Sequence, residues 1–206
     1  MPQTAFHGIA MTETPPPARP DVLDFLLSRR SRPAKLLRAP GPDRPTLERL
    51  LTAAARVPDH GKLEPWRFLV LERAALDRLG DLCAERGADL GEEPDKIEKA
   101  AATFRDSPFV VAVISSPKPS DKIPEIEQLL SAGAVCLSLV NAALAHGFGA
   151  CWLSGYAAHD RQFCTRGLGL APHERVAGFI HIGRAEVTPP DRPRPDVAAL
   201  TSWLEP

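Results

Sequence analysis

The sequence predicts a chain that mixes helices and strands, of the α/β or α+β class. Residues 66–71 and 108–115 are short apolar segments with the composition of buried strands. Segments with helical spacing alternate with them, and the longest, residues 126–146, is apolar nearly all round. A chain of 206 residues with 44% hydrophobic content can build a core without staples.

The composition argues against several classes of partner. The chain has 25 Lys and Arg against 26 Asp and Glu, so nucleic acid and anionic membranes are not expected partners. Its four cysteines form no C-x-x-C pair and no cluster with histidine, so we expect reduced, structural thiols and no metal site. There is no signal-peptide pattern, and no apolar run approaches the ~20 residues that span a bilayer. We therefore expect a cytoplasmic protein.

Prolines mark the start of the chain. The sequence holds 22 prolines, about twice the usual share. Residues 1–20 form a Pro-rich lead that we expect to be disordered, and residues 21–206 form one domain. Asp21 is the predicted N-cap of a helix over residues 22–27. Pro33 ends that helix, because the residue before a proline avoids the helical conformation.

The middle of the chain alternates between the two kinds of element. A second helix is predicted over residues 46–56 from the helical spacing of its leucines. A polar loop bracketed by two prolines then leads into the strand 66–71. Helical patterns follow at 74–87 and 94–105, before the strand 108–115.

The last third contains the long helix and two more strands. Glycines at 147 and 149 end the helix 126–146. The remaining predicted elements are a strand over 150–154, a helix over 159–168, a strand over 175–183 and a Pro-rich tail that includes 197–204.

No phosphate loop, nucleophile elbow or zinc-protease motif occurs in the sequence.

An arginine cluster (Arg29, Arg30, Ser31 and Arg32) has two interpretations. Its cations complement the end of a helix, or its guanidinium forks and serine hydroxyl bind a phosphate. Arg184, which follows Gly183 at a strand end, is a further candidate donor.

Three other residues are ambiguous taken singly. His60 lies in a loop, where it is either a turn-stabilising or a functional residue. Asp59 beside it is either a cap or part of an Asx turn. Trp152 lies in an apolar strand, and its type and place alone favour a core role.

The order of these segments points to a family. The arginine cluster is followed by A-x-R-x-P-D-H-x-x-x-x-P-W-x-F at residues 54–68. An S-A-G helix beginning at Ser131 leads to G-F-G-x-x-W-x-S-G at 147–155, and a later strand ends in Ile182-Gly183. With these motifs, over about residues 22–185, the chain resembles the FMN-dependent nitroreductases, specifically their short YdjA-type NAD(P)H subgroup.

The resemblance implies an α+β fold in which helices wrap a mostly antiparallel central sheet, within an intertwined homodimer. It implies FMN at the dimer interface, with NADH or NADPH as the reductant. The implied reaction is ping-pong hydride transfer through flavin N5 to a nitroaromatic, a quinone or another electron-poor small molecule.

The resemblance also implies site residues, position by position. It places Arg56 and His60 in the same subunit as the phosphate-binding arginine cluster, and residues 152–154 in the other. His60 is the best candidate for a proton donor, although no general acid is assigned. The full set of implied cofactor-binding residues is Arg29, Arg30, Ser31, Arg56, His60, Trp152, Leu153, Ser154, Gly183 and Arg184.

The chemistry of the residue types agrees with this placement. A flavin phosphate needs two or three charge-assisted donors, which Arg29, Ser31 and Arg184 can provide. Two other functions on the same fold remain open. One is a flavin-binding or storage protein without turnover. The other is a dehalogenase or oxygen-using flavoenzyme, for which residues 87–106 would form only a modest lid.

Overall fold

The structure is a computed structural model that describes residues 17–204. Most of the predicted Pro-rich lead, residues 1–16, lies outside the described residues. Residues 17–19 carry neither helix nor strand, and the first helix begins at Pro20.

Five strands form one antiparallel sheet. The central strand β5 pairs with β1, β3 and β4, and β2 pairs with β3 at the edge. Every pairing within residues 17–204 is antiparallel, so the fold is α+β and the α/β alternative is excluded. The strands are β1 Leu37–Arg38, β2 Trp66–Leu71, β3 Val110–Ser115, β4 Gly149–Leu153 and β5 Arg175–Ala185.

In the described part of the chain, residues 17–204, six α-helices surround the sheet. They are α1 Pro20–Ser28, α2 Arg44–Ala54, α3 Arg73–Asp89, α4 Pro94–Arg105, α5 Glu125–Ala145 and α6 Gly155–His159. Short 3₁₀ turns occur at Ala34–Leu36 and His60–Lys62, and a π-helical turn at Phe163–Gly167.

The core lies in two layers, one on each face of the sheet. Alternate residues of β3 point to opposite faces. Val111 and Val113 pack with α2 and α5, whereas Val110, Ala112 and Ile114 pack with α3, α4 and α6. Because helices cover both faces, all of β3 is buried, which explains its continuous apolar sequence.

Helix α5 differs from the sequence expectation in one respect. By length and composition alone it could cross a membrane, although no such run was predicted; here one face packs on the sheet through residues such as Val135 and Leu139. The helix is apolar nearly all round, as its sequence indicates, but a single chain does not bury all of it. Ile126, Leu130 and Leu137 form an exposed apolar stripe along it.

Two predicted helix boundaries are corrected by local chemistry. Helix α1 starts at Pro20 with Arg19 at the N-cap, because proline suits the first helical turn; Asp21 lies inside that turn. The helix predicted over 159–168 is broken at Asp160. Its carboxylate accepts a hydrogen bond from the backbone N–H of Phe163 (2.9 Å), which starts a separate turn.

A partly buried ion pair joins β2 to the segment before β5, with the Glu174 side chain 8% exposed and the Arg67 side chain 38% exposed. The Glu174 carboxylate accepts bonds from Arg67 Nε (2.7 Å) and Nη2 (2.8 Å), and from the Ala171 N–H (3.0 Å). The Arg67 guanidinium lowers the pKa of Glu174 to about 2. Since this pKa lies below that of the unfolded chain, the pair stabilises the fold above about pH 4.5. That contribution is lost as the pH falls towards 2.

We expect Glu174→Gln to lower the free energy of unfolding by about 1–2 kcal/mol at pH 7, because it weakens the charge-assisted hydrogen bonds to Arg67, whose guanidinium is partly screened by solvent. Urea unfolding from pH 7 to pH 2.5 should show the difference from the wild type shrinking as the pH falls. Glu48→Gln, which disrupts an exposed pair with Arg44, should change stability by less than about 1 kcal/mol. A Glu174→Gln difference that stays constant with pH would contradict this assignment.

Candidate functional site

One cleft brings together three segments that are far apart in the sequence. This clamp cleft has a volume of about 780 Å³ and is lined by Arg29, Arg30 and Ser31 of the arginine cluster, by the end of β4 and by the tail residues 189–195. It contains five of the ten predicted cofactor-binding residues: Arg29, Arg30, Ser31, Trp152 and Leu153.

The fold holds the arginine cluster against the sheet. Helix α1 ends at Ser28, and the Arg29 N–H donates to the Phe25 carbonyl (2.8 Å). The Arg32 N–H donates to the Ala150 carbonyl of β4 (2.8 Å), which fixes the segment beside that strand. Arg29 Nη2 donates to Ser31 Oγ (3.1 Å), so the two predicted phosphate donors are adjacent.

Arg29 forms no ion pair within residues 17–204, since the one carboxylate that lines the clamp cleft, Asp191, is bonded to Arg30 and Arg194. Burial lowers the pKa of Arg29, and the charges of Arg194 and Arg30 lower it further. Arg29 Nε and Arg32 Nη1 are buried and have no hydrogen-bond partner within residues 17–204. Arg29 lines the clamp cleft, whereas Arg32 lies outside it. Because buried donors without partners are costly, Arg29 suits a bound anion, and together with the adjacent Ser31 hydroxyl it fits a phosphate monoester.

The tail contributes residues that the sequence reasoning missed. Arg30 Nη1 donates to the Pro190 carbonyl (2.7 Å) and to Asp191 Oδ1 (2.6 Å). Arg194 Nη2 donates to the same Asp191 oxygen (3.0 Å), and Arg192 also lines the cleft. The available signal was the alternation of Arg and Pro at 192–195, a second basic segment that the prolines keep extended.

Trp152 is a surface residue of the clamp cleft, not the core residue that its strand alone suggested. Its side chain is 40% exposed. The indole lies directly on Gly178 of β5, where a Cβ would come within 2.1 Å of the Trp152 Nε1. Gly133 of α5 also lies near the ring, but a Cβ there would be 3.9 Å from it. Gly178 therefore sets the position of the indole.

We expect Gly178→Ala to displace the Trp152 indole and to lower stability by about 1–3 kcal/mol, because the added methyl overpacks the site. Gly133→Ala is the matched control, since its methyl makes only an ordinary contact with the same ring. Tryptophan fluorescence and urea unfolding of both variants check this. A Gly178→Ala protein with wild-type emission and stability would show that the indole does not rest on Gly178.

Gly183 and Arg184 do not lie in the clamp cleft. Gly183 is buried where β5 meets β1, and a Cβ on it would lie 2.8 Å from the Arg38 carbonyl and 2.6 Å from Pro108. Arg184 is exposed and is paired in register with Arg38. The glycine therefore has a packing role, and Arg184 does not join Arg29 and Arg30 in the clamp cleft. Ser154 lies outside the clamp cleft as well, in a neighbouring one.

Arg56 and His60 lie apart from the arginine cluster of their own chain. His60 Nδ1 bonds Glu127 Oε2 (2.7 Å) in the first turn of α5. The arginine cluster packs near the C-terminal end of α5, beside Leu144. At 1.5 Å per residue, Leu144 lies about 26 Å along the helix axis from Glu127. The resemblance implied that the arginine cluster and Trp152 come from different chains, whereas here Arg29, Arg30 and Trp152 line one cleft of a single chain. Arg56 and His60 do not line that cleft.

Comparison with known proteins decides the family. A profile of the Nitroreductase family matches residues 26–184, a span that includes the arginine cluster, the P-D-H loop and the W-x-S-G segment. The chain belongs to the nitroreductase family. The resemblance to that family and to its YdjA-type members is thereby confirmed.

This nitroreductase aligns with most of the length of its curated relatives. YdjA of Escherichia coli (strain K12), named as an NAD(P)H nitroreductase, is 32% identical over 168 residues, 81% of this chain and 90% of YdjA. A Haemophilus influenzae protein with the same activity in its name is 39% identical over 166 residues, 79% of this chain and 88% of that protein.

Solved structures confirm the nitroreductase fold. A nitroreductase-like protein from Bacillus cereus superposes with a TM-score of 0.74 at 22% identity, covering 95% of this chain and 100% of that one. A nitroreductase from Bacteroides fragilis, solved with bound FMN, superposes with a TM-score of 0.70 at 19% identity, covering 90% of this chain and 99% of that one.

Proposed function

We propose that this nitroreductase is an NAD(P)H-dependent FMN oxidoreductase that reduces nitroaromatic, quinone or other electron-poor small molecules by a ping-pong mechanism. The observation that carries the proposal is the clamp cleft, which is lined by the exposed Trp152 and by Arg29, whose buried Nε has no hydrogen-bond partner within residues 17–204. The NAD(P)H nitroreductase names of the relatives and the FMN bound to the Bacteroides fragilis structure support it.

The residues have separate tasks in this proposal. Arg29, Ser31 and Arg194 would hold the FMN phosphate, and Trp152 and Leu153 would lie along the isoalloxazine ring. Hydride transfer is the chemistry that FMN supplies when bound. The chain binds and orients the reactants and excludes water from them. The buried thiols take no part, because burial raises the pKa of Cys136 to about 12 and that of Cys151 to about 11.

The proposal includes a homodimer that completes each site. The exposed stripe of Ile126, Leu130 and Leu137 on α5 is too apolar for a solvated helix face. Helix α1 has no buried residue and exposes Leu23, Leu26 and Leu27, so it too lacks a partner. Pairing through these faces would bury them and would bring the second chain's P-D-H loop towards the clamp cleft.

His60 is then the candidate proton donor of the second chain. Its Nδ1 is hydrogen-bonded to Glu127, which orients the ring and leaves Nε2 for a substrate or the flavin.

We further propose that the protein is cytoplasmic, in keeping with four cysteines that are all free and buried.

Steady-state kinetics test the proposed function. Initial rates of NADH and NADPH oxidation, measured at several concentrations of a quinone with the FMN-loaded protein, should give parallel double-reciprocal lines. Intersecting lines would contradict the ping-pong mechanism. FMN that stays bound while no acceptor is reduced would favour the flavin-binding protein without turnover.

A further inference from the structure

A second cleft adjoins the clamp cleft. This lysine cleft, of about 480 Å³, lies between one face of α4 and residues 152–157, and it shares Trp152 and Leu153 with the clamp cleft. Its volume is in the usual range for a small-molecule site. The α4 residues that line it follow helical spacing along one face: Lys96, Lys99, Ala100, Thr103 and Phe104.

The charge on this face of α4 is of one sign. Both lysines of the helix line the cleft, whereas its acidic residues Asp95 and Glu98 do not. Lys96 donates to Glu92 on the preceding turn and is largely compensated. Lys99 makes no hydrogen bond or ion pair within residues 17–204, so the lysine cleft carries one uncompensated positive charge.

Most other polar groups of the lysine cleft are already engaged. The Tyr156 hydroxyl donates to the Cys83 carbonyl (2.8 Å), and the Thr103 hydroxyl donates to the Ala100 carbonyl (2.7 Å). The Lys99 ammonium and the Ser154 hydroxyl remain available to a ligand. Phe104, Leu153 and alanines supply an apolar lining. The cleft thus offers an apolar surface for a ring and a cation for a substituent on it.

We propose that the lysine cleft binds the electron acceptor and selects aromatic acceptors that carry an anionic substituent, which pairs with Lys99. The inference rests on the proposed function, because it places the acceptor beside the two residues that adjoin the flavin ring. It adds a substrate class, an electron-poor aromatic carboxylate, and a specificity-determining residue, Lys99.

The test uses two acceptors of similar shape and different charge, 4-nitrobenzoate and 4-nitrobenzamide. In the wild-type holoenzyme, kcat/KM should be higher for 4-nitrobenzoate. Lys99→Gln should lower kcat/KM for 4-nitrobenzoate about three- to tenfold, as expected for the loss of one partly exposed ion pair. It should leave kcat/KM for 4-nitrobenzamide unchanged. The preference should shrink in high salt. Lys122→Gln, a lysine outside both clefts, should change neither value.

Several outcomes would overturn the inference. An equal loss for both acceptors would give Lys99 a structural role only. A change in the ratio of NADPH to NADH rates, without a change between acceptors, would show that Lys99 pairs with the reductant. If the wild type reduces neither these two acceptors nor a quinone, the proposed function fails, and calorimetric titration of the same two compounds still tests the cleft. Equal affinity for both compounds in that titration would exclude an anion-selective site.

Discussion

Replacing Arg29 with alanine is expected to weaken FMN binding roughly ten- to hundredfold, the effect of losing one charge-assisted hydrogen bond of about 1.5–3 kcal/mol. Arg29 is expected to matter most because its Nε is buried without a partner and because two further arginines crowd it. A phosphate dianion would satisfy the donor and offset that repulsion. Titration of the FMN-free protein, followed by quenching of flavin fluorescence, measures the dissociation constant.

A matched control distinguishes the loss of a phosphate contact from the loss of one positive charge anywhere on the protein. Arg44→Ala removes an equal charge from an exposed helix position outside the clamp cleft and should leave FMN affinity within about twofold. If Arg29→Ala binds FMN as tightly as the wild type, the phosphate lies elsewhere.

Leu130→Arg is expected to convert a dimer into a monomer and to abolish tight FMN binding with it. Leu130 is 65% exposed at the middle of the apolar stripe of α5, so the charge is tolerated in a single chain but not in a buried interface. The mass obtained from sedimentation velocity should fall from twice 22.3 kDa to 22.3 kDa. Thermal unfolding then checks that the single chain remains folded.

The control for this variant is Leu90→Arg. Leu90 is likewise an exposed leucine, but it follows α3 on the other face of the sheet from α5. The Leu90→Arg variant should therefore remain dimeric and bind FMN as the wild type does. A Leu130→Arg protein that remains dimeric would place the interface elsewhere, and the completion of each site by a second chain would then need another surface.

The elements that the sequence predicts well are those with a strong local pattern. Strand β2 has the predicted bounds and β3 differs by two residues at its start, because both are dense in apolar side chains. Strand β1 has only two residues and no pattern of its own. It exists because Gly183 lets β5 approach it closely, which is a tertiary effect.

The candidate site was predictable as a list of residues and not as an arrangement. Arg29, Arg30 and Ser31 are adjacent in sequence, so one motif finds them. The bond from Arg30 to Asp191 joins positions 161 residues apart, and no local pattern encodes it. The same holds for His60, whose distance from the arginine cluster depends on the length of α5.

Anaerobic titration of the FMN-loaded protein tests the central claim most directly. One equivalent of NADH or NADPH should bleach the visible flavin absorbance, and one equivalent of a quinone should then restore it, because each step transfers two electrons. We expect both halves of this cycle with at least one nicotinamide. A protein that takes up no FMN, or whose bound FMN stays oxidised with both nicotinamides, would contradict it.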